Sequence, residues 1–205
     1  MIKNEYRYLR NMKTIEILIN KLDEHFKAKD KYFELFSNND TRIEGWFKAE
    51  ILKSLNELKV NHCISEFKLE WSIKDENGKR KSIDFIIKFN DDKLFLIEVK
   101  AIVISHHKTP RNLNYYFRED HVGILKDFYK LNSITPYENK CVIAFIYPTP
   151  NKDEWDNILR NIRENDKTTN WACVSMFQNY HDRNYFMPVW INIMQKDNPI
   201  FGDLR

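Results

Sequence analysis

Glycine is scarce in this chain, with 4 in 205 residues, and proline is little more frequent, with 6. No Pro/Gly/Ser linker divides the sequence, and no repeat or low-complexity stretch interrupts it, which points to one globular domain. The three cysteines, Cys63, Cys141 and Cys173, are odd in number, far apart and without metal-ligand spacing. They read as buried thiols in a reducing compartment. No apolar signal segment opens the sequence, and the longest apolar run, Val142 to Tyr147, is far too short to cross a bilayer. The expectation is a soluble cytoplasmic protein with no membrane partner. A large charge of either sign is missing too: 31% of residues are charged, yet the net charge is only +3. A nucleic-acid partner would have to be held by a local basic patch and not by a global field.

Core-forming material is plentiful. Hydrophobic residues make up 42% and aromatics 14%, enough for a sizeable core and unlike a disordered composition. Residues 5–36 carry Ile15, Ile17, Leu18, Leu22, Phe26, Phe33 and Phe36 at helical spacing, predicting one or two amphipathic helices. Residues 1–40 are therefore expected to form an N-terminal helical extension packed on a domain of residues 41–205. Asp40 or Thr41 is a candidate cap for a helix from about Arg42 to Leu58, with Ile43, Phe47, Ile51, Leu55 and Leu58 on its apolar face.

Three strands follow, over 63–73, 82–89 and 93–102. Asn77-Gly78 suits a type I′ hairpin turn, and Asn90-Asp91-Asp92 a second turn. A loop is predicted over 104–119, then a helix from His121 to Leu131, a buried strand over 140–148, a helix from Asp153 to Arg163 and two late strands. This order suggests an α/β fold with a central mixed β-sheet flanked by helices.

The chemistry concentrates at Asp84 and at Glu98-Val99-Lys100. Alternation puts Leu94, Leu96, Glu98, Lys100 and Ile102 on one strand face and Phe95, Ile97 and Val99 on the other. Charged groups in so apolar a strand are costly unless paired or bound to metal. A three-residue loop at 90–92 would set Asp84 opposite Glu98, on the same face. Two carboxylates that close repel unless a cation lies between them, and hard oxygen ligands favour magnesium, with manganese as a substitute. A register slip of one residue would destroy the arrangement.

A helix bearing an acid, a strand, the Ile83-Asp84 strand, the Glu98-Val99-Lys100 strand, a helix and an apolar strand together resemble the restriction-endonuclease-like core of the PD-(D/E)xK nuclease superfamily. The resemblance covers about residues 42–148. It implies a magnesium-dependent endonuclease, a hydrolase of phosphodiester bonds with DNA the expected substrate, in a restriction, defence or repair setting. It implies metal binding by Asp84 and Glu98, and a Lys100 that orients water or stabilises charge on the phosphate. Ile83 stands where the family often has proline. Family members often add a glutamate from the preceding helix. Burial favours Glu44, which falls within the apolar arc. Likeness to the helix of archaeal junction-resolving enzymes favours Glu50, one turn after Trp46, and Glu50 is taken as catalytic residue and metal ligand.

The loop after the Lys100 strand offers His107, Lys108, Arg111 and Arg118 as nucleic-acid contacts. Tyr115, Tyr116 and Phe117 would either stack on bases or fold onto the core. Adjacent His106 and His107 make a poor zinc site. Lys126 and Lys130 loosely resemble basic positions of the corresponding family helix, and Lys79-Arg80-Lys81 reads as a solvated hairpin tip. A homodimer is compatible with cutting both strands. The alternative is a catalytically inactive nucleic-acid-binding or protein-assembly scaffold of the same fold.

Overall fold

Apolar residues at helical spacing bury one stripe of an N-terminal helical layer. In the computed structural model, residues 2–39, 43–104, 113–118, 123–135, 137, 139–165, 171–175 and 185–192 are described. Helix α1 spans Ile2–Lys27 and α2 spans Asp30–Asn38. Ile15, Leu18, Ile19, Leu22, Phe26 and Phe33 are wholly buried in a core shared with α3, Glu44–Val60. The predicted extension thus contributes to the main core. Helix α3 begins after Ile43 with no side-chain cap, and the candidate caps Asp40 and Thr41 lie outside the described residues.

Strands β1 (Ile64–Lys74), β2 (Arg80–Phe89) and β3 (Leu94–Val103) form an antiparallel meander. Its first turn differs from the expected type I′ hairpin. Asp75 N–H donates to the Lys79 carbonyl at 2.9 Å and Gly78 N–H to the Asp75 carbonyl at 2.9 Å, closing a three-residue loop. Gly78 has φ 75, and Asn77 is not left-handed, as a type I′ turn would require. The Asp75 carboxylate decides this, accepting the N–H groups of Asn77 and Lys79 at 3.0 and 2.8 Å. The second turn repeats the geometry. Phe89 N–H donates to the Lys93 carbonyl at 2.9 Å, and Asp92 takes the left-handed position at φ 61. A three-residue loop at 90–92 sets the β2–β3 register, pairing Phe85 with Ile97 and Ile87 with Phe95.

A 3-10 turn at Leu113–Phe117 and helix α4, Ile124–Asn132, lie between β3 and β4, Asn139–Tyr147. Strand β4 runs parallel to β3, as a helical crossover permits. Helix α5 (Lys152–Asn165) and strands β5 (Trp171–Ser175) and β6 (Pro188–Asn192) follow. The described strands form one mixed sheet in the order β1-β2-β3-β4-β6-β5. Helices α1 to α3 cover one face over Phe85, Ile87, Phe95, Ile97, Val99 and Phe145. Helices α4 and α5 cover the other over Ile83, Ile86, Leu96, Ile102, Val142 and Ile146. Trp171, Phe186 and Trp190 belong to that second core. Among the described residues no helix is long and apolar enough to cross a membrane.

Candidate active site: a crossed set of ion pairs

The sheet is distorted where Asp84 stands. The β2–β3 ladder ends at Phe85 and Ile97, one step short of setting Asp84 against Glu98. In place of a further ladder bond, Asp84 Oδ2 accepts the N–H of Val99 at 2.9 Å. On the other side of β2, the pairs Leu69–Phe85 and Trp71–Ile83 flank Glu70, whose φ of 44 lies in the left-handed region. That conformation is costly for a residue with a Cβ. Ile83 and Phe85 consequently enter opposite cores, which regular alternation forbids.

Beyond the break, β3 is regular. Leu96 and Ile102 enter the core under α4 and α5, with Glu98 and Lys100 between them, 2% and 9% exposed. Each flanking helix brings one acid and one lysine a turn apart, the spacing that puts two side chains on one helix face. Helix α3 supplies Glu44 and Lys48, and α4 supplies Asp127 and Lys130. The pairing is crossed. The helix lysines hold the strand acids: Lys48 Nζ lies 2.6 Å from Asp84 Oδ1, and Lys130 Nζ lies 2.6 Å from Glu98 Oε1. The helix acids hold the strand lysine: Lys100 Nζ lies 3.4 Å from Asp127 Oδ2 and 3.5 Å from Glu44 Oε2. Lys48 also reaches Glu44 Oε1 at 3.4 Å, linking Asp84 to Lys100 through α3.

Burial, reinforced by the charge on Asp84 and opposed by Lys130, pushes the Glu98 carboxyl up to about 8. Burial likewise raises Asp127 despite Lys100 and Lys130. Burial works against the charge on Lys100, but Asp127 and Glu44 outweigh it and hold the ammonium above its ordinary value. Lys48 follows the same logic, with Asp84 the main partner opposing burial.

Glu98 Oε1 is buried against the Lys130 ammonium at 2.6 Å. Asp127 Oδ2 is likewise buried, with Lys100 Nζ at 3.4 Å. Among the described residues no group of three or more His, Cys, Asp or Glu side chains forms a ready cage for a metal ion. Magnesium needs none: it binds through one or two carboxylates and completes its shell with water and phosphate oxygens. The hard carboxylate oxygens of Asp84 and Glu98, on neighbouring strands, fit such an open site. Four carboxylates against three ammonium groups also leave the set one negative charge when all are ionised.

Glu50 is not brought to this set. Its carboxylate pairs with His25 and, at 2.5 Å, with Lys29, so it ties α3 to the N-terminal helices. Burial alone would raise its pKa, but Lys29 and His25 outweigh it and the net shift is downward. Glu44 is the α3 acid that reaches Lys100. His107, Lys108 and Arg111 lie outside the described residues, as does His121. Arg118 is exposed just past the 3-10 turn. Tyr116 is buried, with its hydroxyl donating to the Val103 carbonyl at 3.3 Å. Phe117 packs edge-on to Trp155 and Trp190. These aromatics fold onto the core. Lys81 turns back to Asp75 at 3.5 Å.

Lys48 and Asp127 were not legible as site residues, and Lys130 only faintly. A signal existed for Asp127, which sits among Ile124, Phe128 and Leu131 on the apolar arc of its helix. An acid there needs a partner. Comparison with protein-family models, curated proteins and solved structures gives no match to this chain.

Proposed function

We propose that this chain is a metal-dependent nuclease of the PD-(D/E)xK kind, hydrolysing phosphodiester bonds with DNA the expected substrate. The observation that carries the reading is the convergence of Asp84, Glu98 and Lys100 at a break in the β2–β3 ladder, with the two carboxylates close enough for Asp84 to raise Glu98. The order α3-β1-β2-β3-α4-β4, with β4 parallel to β3, supports it, since that is the element order of the resemblance. Asp84 and Glu98 would hold magnesium, or manganese in its place. Glu44, and not Glu50, is the helix acid of the site. A bound divalent cation supplies an acidified water and neutralises charge gathering on the phosphate. Lys100, kept charged by Asp127 and Glu44, directs a fixed positive charge at the same phosphate. Restriction, defence and repair settings are all consistent with this chemistry.

The test is cleavage of supercoiled, linear, branched and single-stranded DNA, and of RNA, with magnesium, manganese or chelator. Asp84→Ala and Lys100→Ala run alongside. Metal-dependent cutting by the wild type, lost in both variants, is expected. Cutting that survives either substitution would overturn the assignment. The ion pairs between helices and sheet favour one other reading, a nucleic-acid-binding or assembly scaffold in which these charges only hold helices to the sheet. Binding of nucleic acid unaffected by metal, with no cleavage of any substrate, would favour it.

A further inference from the structure

Two nearby carboxylates on neighbouring strands repel when both are ionised, and a cation beside them relieves this. The expected cation from within the strands is Lys100, yet Lys100 is held elsewhere, by Asp127 and Glu44. The ammonium groups set against Asp84 and Glu98 come from the two flanking helices. We propose that Lys48 and Lys130 are built-in counter-cations: they occupy the metal-ligand carboxylates while the site is metal-free and yield them to a divalent cation. This rests on the nuclease reading, in which Asp84 and Glu98 are the metal ligands.

Three observations carry it. First, the helix lysines pair with the acids that would bind metal, while the strand lysine avoids both. An ion-pair set serving only stability has no reason to sort its partners so. Second, Lys48 and Lys130 are 28% and 25% exposed, so each ammonium has water beside it to move into. Lys100 is buried and gripped by two acids, so it keeps its place when the others leave. Third, the Lys130 ammonium already has a second acceptor, the Ser82 carbonyl at 3.1 Å, beside Glu98 Oε1 at 2.6 Å, so it keeps a partner when it yields the carboxylate.

Two consequences follow. The sheet can close around two adjacent acids with no metal present, so folding does not depend on metal supply. Each displaced ammonium also remains within reach of the site, free to meet the phosphate that arrives with the metal.

The experiment is titration of the full chain with manganese, followed by calorimetry or by the electron paramagnetic resonance of the free ion. Asp84→Asn first establishes that binding occurs at this site. Lys130→Met and Lys48→Met keep the aliphatic length and remove the charge. Each should tighten manganese binding, on the order of tenfold for loss of a unit charge a few ångströms away. Lys130→Arg should stay near wild type. Lys126→Met, exposed on the same helix, removes the same net charge and should leave the affinity unchanged. If one methionine variant fails to fold, the other carries the test.

Unchanged or weaker binding in the folded methionine variants overturns the proposal while leaving the nuclease reading intact. Equal tightening in Lys126→Met overturns it too, since net charge alone would then explain the effect. Wild-type binding that is absent, or indifferent to Asp84→Asn, overturns the metal assignment itself.

Discussion

Asp84 accepts the main-chain N–H of Val99 at 2.9 Å, so a carboxylate fills the place where a strand-to-strand bond would otherwise stand. The same carboxylate holds Lys48 at 2.6 Å through its other oxygen. One side chain thus stitches β2, β3 and α3 together. Asp84→Ala leaves a buried N–H unpaired and an ammonium without its closest partner. It should cost about 2–3 kcal/mol in urea denaturation and abolish cleavage. Asp84→Asn keeps an acceptor for Val99 and should lose less stability, with cleavage still abolished. Equal stability of all three proteins would contradict the stitching role.

Glu98 gives the stability a pH dependence of defined sign. Its carboxyl holds a proton up to about 8 in the folded chain against 4.5 ordinarily. Between those values the folded state binds more protons than the unfolded chain, so this group's contribution falls as pH rises and levels off above about 8. Asp127 contributes with the same sign. Glu98→Gln should flatten the slope and, in metal-free buffer at the alkaline end of the window, be the more stable protein by on the order of a few kcal/mol. Denaturant midpoints across the window check this.

Glu44 and Glu50 separate site from scaffold. Glu50 is tied to His25 and Lys29, so Glu50→Gln should lower stability by about 1–2 kcal/mol and leave cleavage within about twofold of wild type. Glu44 is more exposed and reaches Lys100 and Lys48. Glu44→Gln should barely change stability and slow cleavage on the order of tenfold through a less firmly held Lys100. Cleavage kinetics and melting of the two variants side by side would show the split. The reverse pattern would restore Glu50 to the site.

Gly123 lets the 3-10 turn approach the start of α4. A Cβ there would lie 2.2 Å from the Tyr116 carbonyl oxygen, a backbone atom that cannot swing aside. Gly123→Ala should cost about 1–3 kcal/mol. It should also slow cleavage, because shifting α4 moves Asp127 and Lys130 with it. Gly45 in α3 has open space around its added Cβ, and Gly45→Ala should be neutral or stabilising by about 0.5–1 kcal/mol. Thermal melts of the pair provide the check.

Much of the sheet was readable from sequence because its information is local. Alternation assigns strand faces two residues at a time, and turn length sets register. The three-residue loop at 90–92 was enough to set the register up to Phe85 and Ile97, one step from Asp84 and Glu98. The first hairpin misled because Asn77-Gly78 suits a two-residue turn, while the Asp75 carboxylate imposes a three-residue loop. The helix acid misled for a different reason. Helical periodicity locates a face but not what it meets, and His25 in α1 and Lys29 just before α2, which claim Glu50, lie at least 21 residues away in sequence.

The sequence by itself determined the α/β alternation, the apolar stripe of each helix and the placing of Asp84, Glu98 and Lys100 on adjoining strands. All of these follow from periodicity and short-range turn chemistry. Tertiary structure alone decided which lysine neutralises which acid. That choice depends on how α3 and α4 lie across the sheet, fixed by packing of Phe47, Ile51, Phe128 and Leu131 into two separate cores. The physical reason is one of range: side-chain spacing along one element is set by its backbone, while partners across elements are set by the burial that docks them.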